Sequence, residues 1–344
     1  MSRASAPSAS LAIVTNKRDA QAVLRQTISQ EVLDRRRKVL AKGDQVEIPV
    51  HAGLDGYQPA AQERIELYRS MPRLKELLAE EISSEGQSLL PRGWYILGDV
   101  IVVKVHPALE GFKRSIGEAL LAMYPRCRTV VRDFGIAGPL REPVREIIAG
   151  EGSETLHCEN GVLFRLDALK IMFSQGNLRE RMRMSLLGEG ERVVDMFAGI
   201  GYFSIPMAVH SRPLKVVAIE LNPLAHKYLV DNTRINKVEE IVQPVLGDCS
   251  IETPYRAADR VLMGMVQVTD RYLQKGIEAL RAGGILHYHQ TIPSWLYPQA
   301  AIDEVVAAAR SLGRRAEIVR CAKVKKFSPG VLHVVVDAII DRDY

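Results

Sequence analysis

The residues with the clearest chemical meaning lie between positions 195 and 249. Asp195-Met196-Phe197-Ala198-Gly199-Ile200-Gly201-Tyr202-Phe203-Ser204 carries an apolar run into an acid and then into a Gly-x-Gly turn. Glycines at such a turn let the backbone come close to a ligand at the carboxyl end of a strand. A dinucleotide-binding turn wants a third Gly or Ala at 204, where this chain has Ser204, so pyrophosphate fits poorly. Asp195 also suits a cationic ligand better than a phosphate. Glu220 ends the next apolar run, where a carboxylate can accept both hydroxyls of a ribose. Gly247-Asp248-Cys249 ends the third, where an acid can take the exocyclic amine of adenine. A single acid at a strand end is more often a helix N-cap. Three in order, at successive strand ends, point to S-adenosylmethionine as co-substrate.

The slot after the fourth apolar run reads Met263-Gly264-Met265-Val266. Enzymes that methylate base nitrogens often place Asn/Asp-Pro-Pro-aromatic there, giving in-plane acceptors and a stacking ring. This chain has neither, which argues against ordinary methylation of a base nitrogen. His287 and His289, at i and i+2 of a strand, point to one face. Packing at a sheet edge is their first reading. Proximity to a target base is the second and makes them the weak catalytic candidates. No third ligand accompanies them, so no metal is expected. No residue identifies itself as a general base.

The elements that must hold these residues are legible in the pattern. RVVDMF, VVAIEL, IVQPVLGD, DRVLMGMV, GGILHYHQ, RAEIVRCAKV and VLHVVVDAII are seven strand candidates. Helical segments separate the first six, and KKFSPG joins the last two as a hairpin. A mostly parallel sheet closed by an antiparallel hairpin is an α/β, Rossmann-like class I methyltransferase fold, with a seven-stranded mixed sheet over 186–344. Residues 87–185 read as a middle α+β domain, opening with the paired strands of WYILGDVIVVKV. Residues 11–86 read as a small N-terminal α+β domain. It has a strand at LAIV, a helix from Ala20 to Leu40, a strand at VEIPV, a surface helix over 63–78 and a linker at Ser83–Ser88. The Ser- and Ala-rich residues 1–10 read as a disordered tail rather than a secretion signal.

The chain has 344 residues, 47% hydrophobic and 25% charged, with a net charge of +5. That composition excludes a disordered, collagenous or disulfide-stapled protein. No apolar run reaches the ~18 residues of a membrane span. Cys127, Cys158, Cys249 and Cys321 form no CxxC pair, so a zinc site is not expected, and scattered thiols suit a reducing cytoplasm. The weakly basic balance permits a nucleic-acid partner without requiring one. Arg35-Arg36-Arg37-Lys38, Arg126, Arg128 and Arg132, and Lys323, Lys325 and Lys326 are short basic clusters. Such clusters are usually solvated faces and, given an RNA substrate, are reasonable phosphate contacts.

DMFAGIGYFSIPMA, FSQGNLRERMRM, MGMVQVTDRYL, GGILHYHQ and VKKFSPGVLHVVVDAII together resemble the archaeal and eukaryotic aminocarboxypropyltransferases of the tRNA wybutosine (wyosine) pathway. The resemblance covers roughly residues 87–344. The sister family, the tRNA guanosine-37 N1-methyltransferases, shares the fold and the glycine turn but has an Asn-Leu/Pro-Pro-type motif where this chain has Met263-Gly264-Met265. Residues 11–50 resemble the small N-terminal, tRNA-docking domain of archaeal members of that sister.

The resemblance implies transfer of the 3-amino-3-carboxypropyl group from S-adenosylmethionine to carbon 7 of 4-demethylwyosine at position 37 of phenylalanine tRNA, releasing methylthioadenosine. It adds Ser174 and Arg181 to Asp195, Gly199, Gly201, Glu220, Asp248 and Cys249 as co-substrate contacts. Arg181 is expected to pair with the methionine carboxylate through a bidentate fork. Cys249 is expected to act through its backbone or packing. The competing readings are the sister methyltransferase and a non-catalytic tRNA-binding module.

Overall fold

A computed structural model describes residues 10–67, 72–138 and 141–341, so the tail expected over 1–10 lies almost entirely outside the described residues. The chain divides into two compact units, residues 1–73 and 74–344.

The first unit contains β1 (Leu11–Asn16), α1 (Ala20–Ser29), β2 (Leu40–Lys42), β3 (Gln45–Pro49) and β4 (Ala60–Ala61). The strands pair antiparallel in the order β2-β3-β1-β4. Ile13, Val23, Val46, Ile48, Val50 and Leu54 form its core. The helix stops well short of Leu40. Glu31 turns left-handed, and the Asp34 carboxylate accepts from the Arg36 backbone N–H at 3.0 Å, a local bond that competes with helix. Arg37 is buried rather than offered to a partner: it donates to Asp34, Gln62 and the carbonyls of Leu11 and Val50. The Arg35–Lys38 cluster is therefore partly a structural tie and not a free basic face.

The second unit begins at α2 (Leu74–Leu77) and α3 (Ser84–Ser88). Of the surface helix expected over 63–78 only α2 is helical; residues 68–71 lie outside the described set. The expected linker is α3, N-capped by Ser83, whose hydroxyl accepts from the Gly86 N–H. Leu74, Leu78, Ile82 and Leu90 pack with Ile101, Val103, Leu109, Ile116 and Leu120 in one apolar cluster. The boundary thus falls at 73/74, not at 86/87. Burying each of Leu74, Leu78 and Ile82 contributes roughly 1.5–3 kcal/mol. A chain starting at Gln87 is therefore expected to melt well below one starting at Leu74. Equal thermal midpoints for the two would show that the pair of short helices adds nothing to the core.

Four strands follow: β5 (Trp94–Leu97), β6 (Val100–Val103), β7 (Thr129–Ala137) and β8 (Glu142–Gly150), with α4 (Lys113–Met123) between β6 and β7. The hairpin of β9 (Glu154–Glu159) and β10 (Val162–Asp167) turns at Asn160-Gly161 and leads through Met172–Asn177 into α5 (Leu178–Met184). The remaining chain alternates: β11 (Arg192–Asp195), α6 (Ser204–His210), β12 (Lys215–Glu220), α7 (Pro223–Ile235), β13 (Val242–Leu246), α8 (Cys249–Glu252), β14 (Ala258–Met263), α9 (Leu273–Ala279), β15 (Leu280–Pro293), α10 (Gln299–Ser311), β16 (Ala316–Ser328) and β17 (Val331–Ile340). These seven strands form one sheet in the order β13-β12-β11-β14-β15-β17-β16, parallel except for β17, which runs antiparallel to both neighbours. This is the expected Rossmann-like methyltransferase sheet.

No seam separates 87–185 from 186–344. Leu97, Val100, Phe164 and Leu166 share a core with Ala198, Ile200, Ile205 and Leu229. That shared core fixes the Met172–Asn177 segment over the carboxyl ends of the sheet.

Candidate active site

A cavity of about 450 Å³ opens at the carboxyl ends of β11, β12, β13 and β14. Its volume is in the range of small-ligand sites, and its place is where open α/β sheets bind ligands. One wall comes from the strand ends: Met196 and Phe197, Gly199, Glu220, Gly247-Asp248-Cys249 and Gly264-Met265-Val266. Another comes from Met172, Ser174, Asn177 and Arg181, with Tyr202 and Arg141.

The glycine turn aims Glu220. Gly199 sits at φ +58° and its N–H donates to Glu220 Oε2 at 2.7 Å; the Asn222 N–H donates to Oε1 at 2.8 Å. Each oxygen keeps a lone pair for vicinal hydroxyls. Burial pushes the carboxyl up, while the Asn222 and Gly199 N–H groups pull it down. Gly201, at φ +99°, does not face the cavity. A Cβ there would lie 2.4 Å from Ile205, so this glycine serves the packing of α6. Asp248 lines the cavity and also caps α8, its Oδ1 accepting from Ser250 N–H at 2.8 Å. Oδ2 has no partner among the described residues. Cys249 lines the cavity with its thiol pushed up to about 12 by burial, so it is no thiolate nucleophile.

Asp195 does not face the ligand space. It is fully buried behind the turn, accepting from Ser204 Oγ at 2.5 Å and from Phe197 N–H at 3.3 Å. Its expected contact with a cationic ligand is corrected to a brace for the turn: Ser204 fills the place where a third small residue would admit pyrophosphate. Burial raises Asp195 to about 6. A raised carboxyl costs nothing below its unfolded value near 4, and the penalty grows as pH rises to the folded value. At full extent it is about 3 kcal/mol. Asp195→Asn is expected to gain thermal stability relative to the parent between pH 4 and 7. A midpoint difference that stays flat over that range would remove the buried titration.

Arg181 lines the cavity but its fork is taken. Nε donates to Glu159 Oε1 at 2.6 Å and Nη2 to Oε2 at 2.7 Å, while Nη1 donates to the Ser174 carbonyl at 2.8 Å. The guanidinium also lies 4.9 Å over the Phe173 ring. The fork expected for the methionine carboxylate is held here by Glu159, so Arg181 ties β9 to the Met172–Asn177 segment while lining the cavity. Tyr202 adds a second tie, its hydroxyl donating to the Met172 carbonyl.

His287 and His289 are 2% and 1% exposed, and neither lines the cavity. β15 lies inside the sheet, between β14 and β17, and the two rings are covered by the side chains they meet. His287 accepts from Arg260 at Nε2 (2.5 Å) and donates from Nδ1 to Asp337 at 2.6 Å. His289 stacks on Phe203 at 5.5 Å and meets His333 at 3.0 Å; burial lowers both of these to about 3. His287 and His289 are both buried away from the cavity and are held by partners of the chain itself. Arg128 and Arg132 are likewise bound within the fold, by Asp99 and by Glu110 and Glu146. No group of three metal-ligating side chains occurs among the described residues, and no described helix is long and apolar enough to cross a membrane.

Two family models match: the TYW2 N-terminal domain over residues 74–153 and the TRM5/TYW2 methyltransferase domain over 155–319. The tRNA(Phe) (4-demethylwyosine(37)-C(7)) aminocarboxypropyltransferase of Pyrococcus horikoshii is 39% identical over 267 residues, 77% of this chain and 95% of that protein. The chain belongs to the TRM5/TYW2 family. The structure of P. horikoshii TYW2 in complex with MeSAdo covers 79% of this chain and all of its own, at 37% identity and a TM-score of 0.70. Trm5b from Pyrococcus abyssi covers 96% of this chain and 99% of its own, at 29% identity and a TM-score of 0.72. The family match to TYW2 begins where the second compact unit does.

Asn177, Tyr202 and Arg141 line the site and were not anticipated. Tyr202 stood beside the glycine turn and had a local signal. Arg141, 40 residues before Arg181 and in a different element, had none.

Proposed function

We propose that this protein transfers the 3-amino-3-carboxypropyl group of S-adenosylmethionine to carbon 7 of 4-demethylwyosine at position 37 of tRNA(Phe) and releases methylthioadenosine. The observation that carries the reading is the cavity wall at Gly264-Met265-Val266, which sets apolar side chains and no in-plane acceptor where a base-nitrogen methyltransferase needs one. Relatives of the same activity support it.

In this reading Glu220 takes the ribose hydroxyls, Asp248 the adenine amine, and Phe197 and Tyr272, in edge contact at 5.4 Å, the apolar faces. Carbon 7 of the base attacks the γ-carbon of the methionine moiety, the carbon–sulfur bond breaks, and its electron pair stays on sulfur. The proton on carbon 7 then leaves from the electron-rich tricycle. The protein's task is to align attack, since a misplacement of about 1 Å costs on the order of 100-fold. Among the described residues lining the cavity, the Cys249 thiol is held protonated and no histidine is present, so no side chain is assigned as base.

The sister reaction, N1-methylation of guanosine-37, is favoured by one observation: Trm5b of P. abyssi covers 96% of this chain against 79% for P. horikoshii TYW2, and the TYW2 N-terminal model starts only at residue 74. Incubation with co-substrate and tRNA carrying the tricyclic base separates the two. Methylthioadenosine with a nucleoside gaining the aminocarboxypropyl mass supports the proposal; S-adenosylhomocysteine with methylated guanosine replaces it. The first unit is assigned to tRNA docking, and the protein to the cytoplasm. A chain starting at Leu74 should bind S-adenosylmethionine normally and tRNA more weakly. Equal tRNA affinity across a salt series would end the docking assignment.

A further inference from the structure

Arg141 and Arg271 line the cavity, and Lys325 reaches its wall through Ser174; none of the three has a carboxylate partner among the described residues, and Arg141 and Lys325 lie on the side of Ser174 and Asn177. Arg141 donates only to the amide oxygen of Gln267, at 3.1 Å. Lys325, on β16, reaches across to Ser174, donating from Nζ to Oγ at 2.9 Å. Its stem passes over Gly176, where a Cβ would lie 2.9 Å from Lys325 Cδ. A hydroxyl that accepts from an ammonium has its own proton left to give, and Ser174 Oγ has no acceptor among the described residues. That proton therefore belongs to whatever fills the cavity. Beside it, Asn177 Oδ1 is buried at the cavity wall with no hydrogen-bond partner. Burial, with the guanidiniums of Arg181 and Arg141, pulls the Lys325 ammonium below its ordinary value, as expected of a cation awaiting a counter-charge.

We propose that Arg141, Lys325 and Ser174 receive the α-carboxylate of S-adenosylmethionine and that Asn177 accepts from its α-ammonium. The inference rests on the reading of the cavity as the co-substrate site. An anion alone, such as a tRNA phosphate, would use the cations and the hydroxyl but leave Asn177 Oδ1 unsatisfied. A zwitterionic amino-acid end uses all four. Arg181, neutralised by Glu159, stands behind this set and holds Ser174 in place through its carbonyl.

The test is calorimetry on the full chain with S-adenosylmethionine and with methylthioadenosine, which lacks the amino-acid end. Lys325→Met and Arg141→Gln should each weaken S-adenosylmethionine by about tenfold or more, the strength of one charge-assisted contact, and leave methylthioadenosine within about twofold. Lys325→Arg should recover part of the loss. Equal losses for both ligands would overturn the proposal. So would an unchanged S-adenosylmethionine affinity with weakened tRNA binding and a reduced salt slope, which would assign the cations to phosphate. The readout is independent of the group transferred: if the enzyme proves to methylate, the proposed activity fails while this binding split still stands or falls by itself.

Discussion

Glu220→Ala is expected to lower affinity for S-adenosylmethionine by at least about 100-fold. Both carboxylate oxygens are already aimed, one by the Gly199 N–H and one by the Asn222 N–H. Two charge-assisted bonds to a ribose are each worth roughly 1.5–3 kcal/mol, and a tenfold change is about 1.4 kcal/mol. The loss should fall equally on methylthioadenosine, which has the same ribose. This separates Glu220 from the Lys325 and Arg141 variants, whose effect spares that compound. Calorimetry showing unchanged affinity for either ligand would take Glu220 out of the site.

Arg181→Ala should act first on stability. It removes three hydrogen bonds and strands Glu159 in a pair whose side chains are 4% and 12% exposed. Breaking such a pair from one side costs about 3–5 kcal/mol, whereas removing both charges is often close to neutral. The thermal midpoint of Arg181→Ala should therefore fall by roughly 6–20 °C, using 2–4 °C per kcal/mol for a unit of this size. Glu159→Gln combined with Arg181→Met should recover most of it. Transfer falls as well, because Ser174 loses the donor to its carbonyl. A variant that melts like the parent and loses only S-adenosylmethionine would restore the fork to the ligand.

The parts of the site that were legible in advance share a property: they sit within a few residues of a strand end. Gly199, Glu220, Asp248 and Cys249 follow apolar runs whose alternation with helices already implies the sheet, and the local chain direction brings them to its carboxyl edge. Asp195 and Gly201 were found by the same pattern and given the wrong duty. Sequence spacing shows that a turn is built, not which of its residues face the ligand and which hold it from behind. His287 and His289 were placed on one face of a strand with packing as their first reading, but at a sheet edge, whereas β15 lies inside the sheet between β14 and β17.

What misled was charge. Arg181, Arg128, Arg132 and Arg37 read as surface cations available to a ligand or to RNA, and each is held by an acid or carbonyl of the chain itself.

From the sequence alone, then, come the sheet with its closing hairpin, the two acids that line the cavity at strand ends, and the absence of a polar acceptor at Met263-Gly264-Met265. All of these follow from short-range periodicity and from residue types at strand ends. The tertiary structure alone decides which charges are free. Arg181 and Glu159 are 22 residues apart, Lys325 and Ser174 are 151 apart, and Arg183 and Asp337 are 154 apart. A guanidinium's partner is whichever carboxylate the fold brings within about 3 Å, and spacing along the chain does not show which one that is. The chain therefore announces which strand ends line the cavity, while only the folded molecule reveals which cations beside it lack a carboxylate partner among the described residues.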